Sequence, residues 1–303
     1  MISWSSANLP ERSNRTLSPV RFLNAILCSL LVVTPSSALA QPNSVTELLQ
    51  KARTAFEAGK NEEALSLAQK AIGLEPKNAQ TYYTRGRLYE AMRQYEKTIL
   101  DFDQVLKLNP GAAHIYQLRG VAQFKRGNVK ESIADFDKFI ESDASQAPQH
   151  WQRGISCYYA ERYEDGRKQF ELHQTVNNND VENAVWHFLC VARSSGVEKA
   201  RASLIHINRD GRVPMMQIYA LFAGKATVDD VMAAVKAGEP SPDELKQRLF
   251  YAHLYLGLYD EATGNAKLAD EHIQKAIGEF AAEHYMGDVA RVHAKLRGQV
   301  KPR

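Results

Sequence analysis

A 34-residue interval recurs through the middle of this 303-residue chain and constrains its fold more than any other feature. Gly86, Gly120 and Gly154 keep it, as do Arg85, Arg119 and Arg153, and Phe102, Phe136 and Phe170. Pro76 with Pro110, Asp101 with Asp135, and Tyr95 with Tyr163 repeat at the same or twice the interval. Fixed self-similarity of this length marks stacked supersecondary units rather than one globular sheet or bundle. Within a unit the apolar spacing is helical. Tyr82, Gly86 and Tyr89 share a face of a first helix, and Ile99, Phe102 and Leu106 a face of a second. A mid-helix glycine costs about 1 kcal/mol relative to alanine, so its recurrence predicts that a neighbouring helix crosses closely there. Pro76 and Pro110 are expected to stop each second helix.

On these residues the chain resembles the tetratricopeptide repeat (TPR) family, whose unit is a 34-residue antiparallel helix pair. Ala52, Gly59, Ala64, Ala71 and Pro76 match in a first unit, 45–78. Tyr82, Gly86, Tyr89, Tyr95, Phe102 and Pro110 match in a second, 79–112. The third, 113–146, offers Tyr116, Gly120, Gly127 and Phe136; the fourth, 147–180, offers Trp151, Gly154, Tyr163 and Phe170. Ala144 and Asn178 replace the terminal proline, and Thr98 and Gly166 replace an alanine. The fold class implied is an all-α, right-handed TPR solenoid.

Beyond residue 180 the pattern decays into degenerate helical repeats over 181–297. Gly196–Ala200 keeps the turn and second helix of a fifth unit. Short helices are predicted at Met215–Ala223 and Thr227–Ala237, the second opened by the capping pair Thr227 and Asp230. Ser241-Pro242-Asp243-Glu244 places a capping serine, a proline at the first helical position and a glutamate three residues after the cap. The helix it opens leads into a final TPR, about 243–277, with Gly257, Ala269 and Ala276 in register. Glu279–Arg297 is expected as a capping helix that solvates the open end of the stack, followed by a tail, 298–303. This C-terminal order is similar to that of bacterial envelope TPR lipoproteins of the NlpI type. That resemblance implies a homodimer whose partners are envelope proteases or cell-wall hydrolases.

Residues 1–40 read as a secretory signal peptide. A polar lead with Arg12, Arg15 and Arg21 precedes the apolar run Phe22–Val33, Pro35 breaks it, and Ala38-Leu39-Ala40 supplies a small-x-small cleavage pattern. The expected localisation is therefore the periplasm or cell envelope. A lipid anchor is not expected, because Cys28 follows Leu27 where a lipid-attachment motif needs a small residue. The signal carries three arginines and Glu11, so the rest of the chain has 35 basic and 34 acidic side chains, a net charge of +1. That balance argues against a nucleic-acid partner, which needs a clustered basic footprint. With no apolar run of 18 residues, no transmembrane span is expected in the mature chain.

Little points to chemistry. The sequence contains no HExxH, CxxC or HxH, and neither a metal nor a cofactor is expected. Gly154-Ile155-Ser156-Cys157-Tyr158 lacks the second glycine of a nucleophile elbow, and Gly224-Lys225-Ala226 lacks the leading glycine and following Ser/Thr of a phosphate loop. Cys157 and Cys190 are expected as small buried apolar side chains, with a disulfide the alternative in an oxidising compartment. Arg85, Arg119 and Arg153 are read as structural, their stems lying along neighbouring helices.

The family resemblance also implies that first helices line a concave groove. The residues expected to bind a partner there are Arg53, Phe56, Tyr83, Arg87, Phe124, Lys125, Trp151, Tyr158 and Tyr159. Rings interleaved with cations suit an extended peptide or a partner helix, although Phe56, Phe124 and Tyr158 are also placed to pack between helices. The function expected is that of a non-catalytic, exported scaffold. The alternatives are an enzyme whose site lies in 180–297, signalled by helices closing around a polar pocket, and a subunit of an envelope assembly or secretion apparatus.

Overall fold

The computed structural model describes residues 44–298. The signal peptide read over 1–40, Cys28 within it, and all of the tail but Gly298 lie outside the described residues. Every regular element among those described is helical. The first four units are α1 (Val45–Glu57) with α2 (Asn61–Leu74), α3 (Ala79–Ala91) with α4 (Tyr95–Leu108), α5 (Ala113–Arg126) with α6 (Val129–Ser142), and α7 (Trp151–Tyr159) with α8 (Tyr163–His173). A 3₁₀ segment, Ala144–Gln149, joins the third unit to the fourth. The helices before Pro76 and Pro110 end two residues ahead of each proline, at Leu74 and Leu108.

The glycine column is explained by geometry. A Cβ at Gly86, Gly120 or Gly154 would sit 2.9, 2.7 or 2.7 Å from the ring of Phe102, Phe136 or Phe170, sixteen residues on in the second helix. Gly257 repeats the relation with Ile273 at 2.8 Å. Each first helix thus meets its own second helix at a point where only hydrogen fits, and the large side chain fills the contact.

The arginine column does more than lay down stems. Arg85 holds Asp101 with two bonds, of 2.9 and 2.6 Å, and also donates to Gln69 of the preceding unit. Arg119 grips Asp135 at 2.9 and 2.6 Å and reaches back to Asp103 at 2.6 Å. Arg153 keeps only the backward bond, to Asp137 at 2.5 Å, because Gln169 stands where the forward aspartate would be. The period therefore encodes a polar ladder, sixteen residues forward within a unit and sixteen back to the previous one. Burial pushes the Asp101 and Asp135 carboxyls up, against the pull of their arginines. Such pairs add little net stability, but removing one partner strands the other.

The helix-to-helix turns carry a second column, at Gly59, Arg93, Gly127 and Glu161. All four are left-handed, with φ of +76, +58, +93 and +59°. Two non-glycine residues thus occupy a conformation that costs a side chain about 1–2 kcal/mol.

The remaining elements are α9 (Val181–Ser195), α10 (Val197–Ala202), α11 (Met215–Phe222), α12 (Val228–Lys236), α13 (Pro242–Ala262), α14 (Ala266–Ile277) and α15 (Tyr285–Leu296). Thr227 and Asp230 form the reciprocal capping box, and Ser241 caps α13 ahead of Pro242. Helix α9 is buried from Asn183 to Val191, as expected of a helix apolar all round. It forms the axis of one large core running from Phe124 through Trp186, Phe222 and Tyr255 to Ala294. Cys157 and Cys190 are both free thiols within the packed interior.

Candidate functional site

The last helix is shorter than the sequence suggests and lies elsewhere. Gly278 ends α14, and residues 279–284 run without helix before α15 begins at Tyr285. Gly287 permits this: a Cβ there would fall 2.0 Å from the Ala282 carbonyl oxygen, so the lead segment folds directly over the first turn. Helix α15 packs on α14, also reaches back to α5, and meets α7 through Trp151 and Tyr159. Met286, Gly287, Asp288, Val289, Ala290, Val292, His293 and Ala294 are all buried. A solvated cap needs one polar face; a helix buried on most of its circumference needs a groove.

Tyr285 anchors it. Its ring stacks on Phe124 at 5.6 Å and meets the Trp151 indole edge-on at 5.1 Å. One turn on, the nearly buried Asp288 accepts from Arg93 at 2.5 Å and Arg291 at 2.9 Å, with Tyr95 at 3.4 Å and Lys125 at 3.7 Å. Arg93 also donates to Glu283. Burial pulls the Arg93 pKa down, but Asp288 and Glu283 outweigh it and hold the guanidinium above its ordinary value. Burial and the Asp288 charge raise the Tyr95 phenol to about 12. Farther along, His293 Nδ1 lies 3.2 Å from the Tyr159 hydroxyl. Burial, with Arg297 and Arg193 nearby, pushes the His293 imidazole down to about 3. Lys295 Nζ closes the seat by donating to the Arg126 carbonyl at 2.6 Å, beside Gly127.

The nine residues expected in the groove divide accordingly. Phe124 and Tyr158 are buried, Phe124 under Tyr285 and Tyr158 among Tyr159, Tyr163 and Trp186. Trp151 and Tyr159 face α15. Lys125 bridges Glu90 at 3.2 Å to Asp288, and Arg87 pairs with Glu90 at 3.5 Å. Tyr83 packs between Phe102 and His114, each 6.3 Å away. Arg53 is half-buried on α1, and Phe56 packs beside the small core of Ala52, Ala55 and Leu88. Sequence reasoning missed Arg93 and Tyr95 on the receiving side and Tyr285, Asp288 and His293 on the docking side. The turn column at Arg93 and the amphipathic pattern of 285–294 were the available signals.

The family model for tetratricopeptide repeats matches residues 49–97 and 83–147. Residues 49–147 carry tetratricopeptide repeats. A tetratricopeptide repeat protein from Parabacteroides merdae ATCC 43184 is 15% identical, covering 84% of this chain and 99% of its own, with a TM-score of 0.56. A MamA protein is 13% identical over 65% of this chain and 97% of its own, at a TM-score of 0.50. At these identities the likeness is one of fold. No curated protein sequence matches the chain.

Proposed function

We propose that this protein is an exported, non-catalytic scaffold or adaptor that holds other proteins in the cell envelope through its concave TPR face. The observation that carries the reading is the seating of α15. The groove accepts an amphipathic helix through a ring on Phe124 and Trp151 and a carboxylate on Arg93 and Lys125. A partner helix or extended peptide with the same alternation of ring and acid would compete with α15 for these side chains. Arg53 and Phe56 on the first unit, with Tyr83 and Arg87 beside them, extend the surface beyond α15. Export rests on the apolar run Phe22–Val33 and the Ala38-Leu39-Ala40 pattern that follows it. Envelope proteases or cell-wall hydrolases as partners, and a homodimeric state, rest on the resemblance of the C-terminal repeats.

Affinity capture from an envelope extract tests the reading. A Tyr83→Ala, Trp151→Ala double variant of unchanged helicity is expected to lose its partners, because central aromatic anchors cost about 2 kcal/mol or more when truncated. Retention at wild-type affinity places binding elsewhere. Intact-mass measurement of the exported chain is expected to find Gln41 first; retention of 22–40, or a diacylglycerol on Cys28, overturns the export assignment.

A further inference from the structure

We infer that the cavity where the fourth unit meets the C-terminal helices is a binding site for a quaternary ammonium, the trimethylammonium head of a small molecule of the choline class. The cavity measures about 250 Å³ and opens between α7, α9, α13 and the start of α15. Trp151, Trp186, Tyr251 and Tyr285 are among its walls, one ring from each of these four helices. Trp151 and Tyr285 meet at 88°, so two of the walls stand nearly at a right angle. Trp151, Tyr251 and Tyr285 are half-buried, whereas Trp186 is 1% exposed and belongs to the core behind them. The negative face of an aromatic ring attracts a cation, and the attraction grows as water is excluded.

The charge on the same wall sets the ligand's sign. Asp180 and Glu182 line the cavity, and with Asp210 they converge on the single guanidinium of Arg212 at 2.6, 2.5 and 2.5 Å. Three carboxylates on one cation leave a negative balance. The Tyr251 phenol registers it: its pKa is raised first by burial and then by Glu182, Asp180 and Asp210, with Arg212 alone opposing them. Of the lining histidines, His173 Nδ1 lies 2.8 Å from the Pro148 carbonyl, and His284 is lowered by burial, so it adds no positive charge at neutral pH.

The two lining carboxylates are already answered. Asp180 accepts from the Glu182 N–H, Arg212 and Asn177, and Glu182 accepts from Arg212 and the Tyr255 hydroxyl. A primary ammonium must place three N–H donors and finds no free carboxylate there. A quaternary ammonium has no N–H, so the rings and the negative field are all it requires. Ile155, Phe170 and Met286 supply apolar surface for its methyl groups. An apolar cavity of about 150 Å³ is enough for benzene, so this one holds a trimethylammonium head and the first carbons of its tether. The site rests on neither export nor partner capture.

The sequence has three tryptophans, so a Trp4→Phe chain reports only Trp151 and Trp186, both in the cavity wall. Its fluorescence is titrated at constant ionic strength with choline, tetramethylammonium, ethanolamine and 3,3-dimethyl-1-butanol, the uncharged carbon isostere of choline. A saturable change is expected with choline and tetramethylammonium, and binding about tenfold weaker or worse with the isostere and with ethanolamine. Tyr251→Leu is expected to weaken choline about tenfold, while Tyr251→Phe, which keeps the ring, binds as the parent does. Asp180→Asn, which can still cap α9, removes one negative charge and is expected to weaken choline about threefold while leaving the isostere unchanged. No saturable change with choline or tetramethylammonium overturns the inference. So does equal binding of the isostere or of ethanolamine, or parental affinity for choline in a folded Tyr251→Leu. Should Tyr251→Leu fail to fold, the isostere comparison and Asp180→Asn decide.

Discussion

The strict repeats and the C-terminal half bury apolar surface on different length scales. Between α1 and α5 the interior is a set of small clusters, such as Ala52 with Leu88 or Phe102 with Ile115, each made by neighbouring helix pairs. From Phe124 onward a single cluster joins residues as distant in sequence as Phe124 and Ala294. A solenoid whose units touch only their neighbours has additive, nearly one-dimensional stability. Here that behaviour is confined to the first units, because α15 returns across the chain and ties units two to four to the last helices. The same array is thus modular at its start and globular at its end.

The largest expected effect tests the feature the two halves share. Gly120→Leu drives a side chain into the Phe136 ring and is expected to cost about 3 kcal/mol or more, against little for Lys130→Leu on the exposed face. Coincident urea midpoints for the two variants would refute the assigned register. Tyr285→Ala probes the tie itself: removing the ring between Phe124 and Trp151 is expected to cost about 2–3 kcal/mol. Native-state hydrogen exchange should quicken across α5, α7 and α15 and stay unchanged in α1 and α2; an equal rise in α1 and α2 would show that the first units are not separate.

Acid should loosen the same tie more gently. The His293 imidazole titrates near 6.5 when exposed and is held near 3 when docked, so its contribution is complete above pH 6.5 and is lost as the pH falls toward 3. At pH 5 the loss is about 2 kcal/mol. The difference in stability between pH 7.5 and 5 should shrink in His293→Gln; an identical difference would remove His293 as its source. The smallest effect separates strain from function in the turn column. Glu161→Gly is expected to gain about 0.5–1 kcal/mol by relieving a left-handed residue. Arg93→Gly, at the equivalent turn, should lose stability, because Arg93 also holds Asp288 and Glu283. Parallel melts for the two would mean the Arg93 ion pairs contribute nothing.

The pattern at residues 86, 120 and 154 was legible because each glycine has its partner at a fixed sixteen-residue spacing, within one unit. The same holds for the prolines after α2 and α4 and for the caps at Thr227 and Ser241, which satisfy backbone groups within a few residues. The arginine column was legible as structural, but not as a ladder, since that reading needs Gln69, Asp103 and Asp137 aligned with Asp101 and Asp135. The groove residues were named largely by family resemblance. Their cover was not, because Arg93 and Asp288 are 195 residues apart.

By itself, then, the sequence determined the repeating helix pair, its crossing points and its stops, all of which are short-range consequences of side-chain volume and backbone constraint. Only the tertiary structure decided where α15 lies, that Phe124 and Trp151 face Tyr285, and that Trp186, Asn183 and Tyr285 share one cavity. Those outcomes depend on how far the stack curves and on which distant surface can bury an apolar helix. No local periodicity records either, because the free energy that selects them is the burial of non-polar area, which is indifferent to sequence separation.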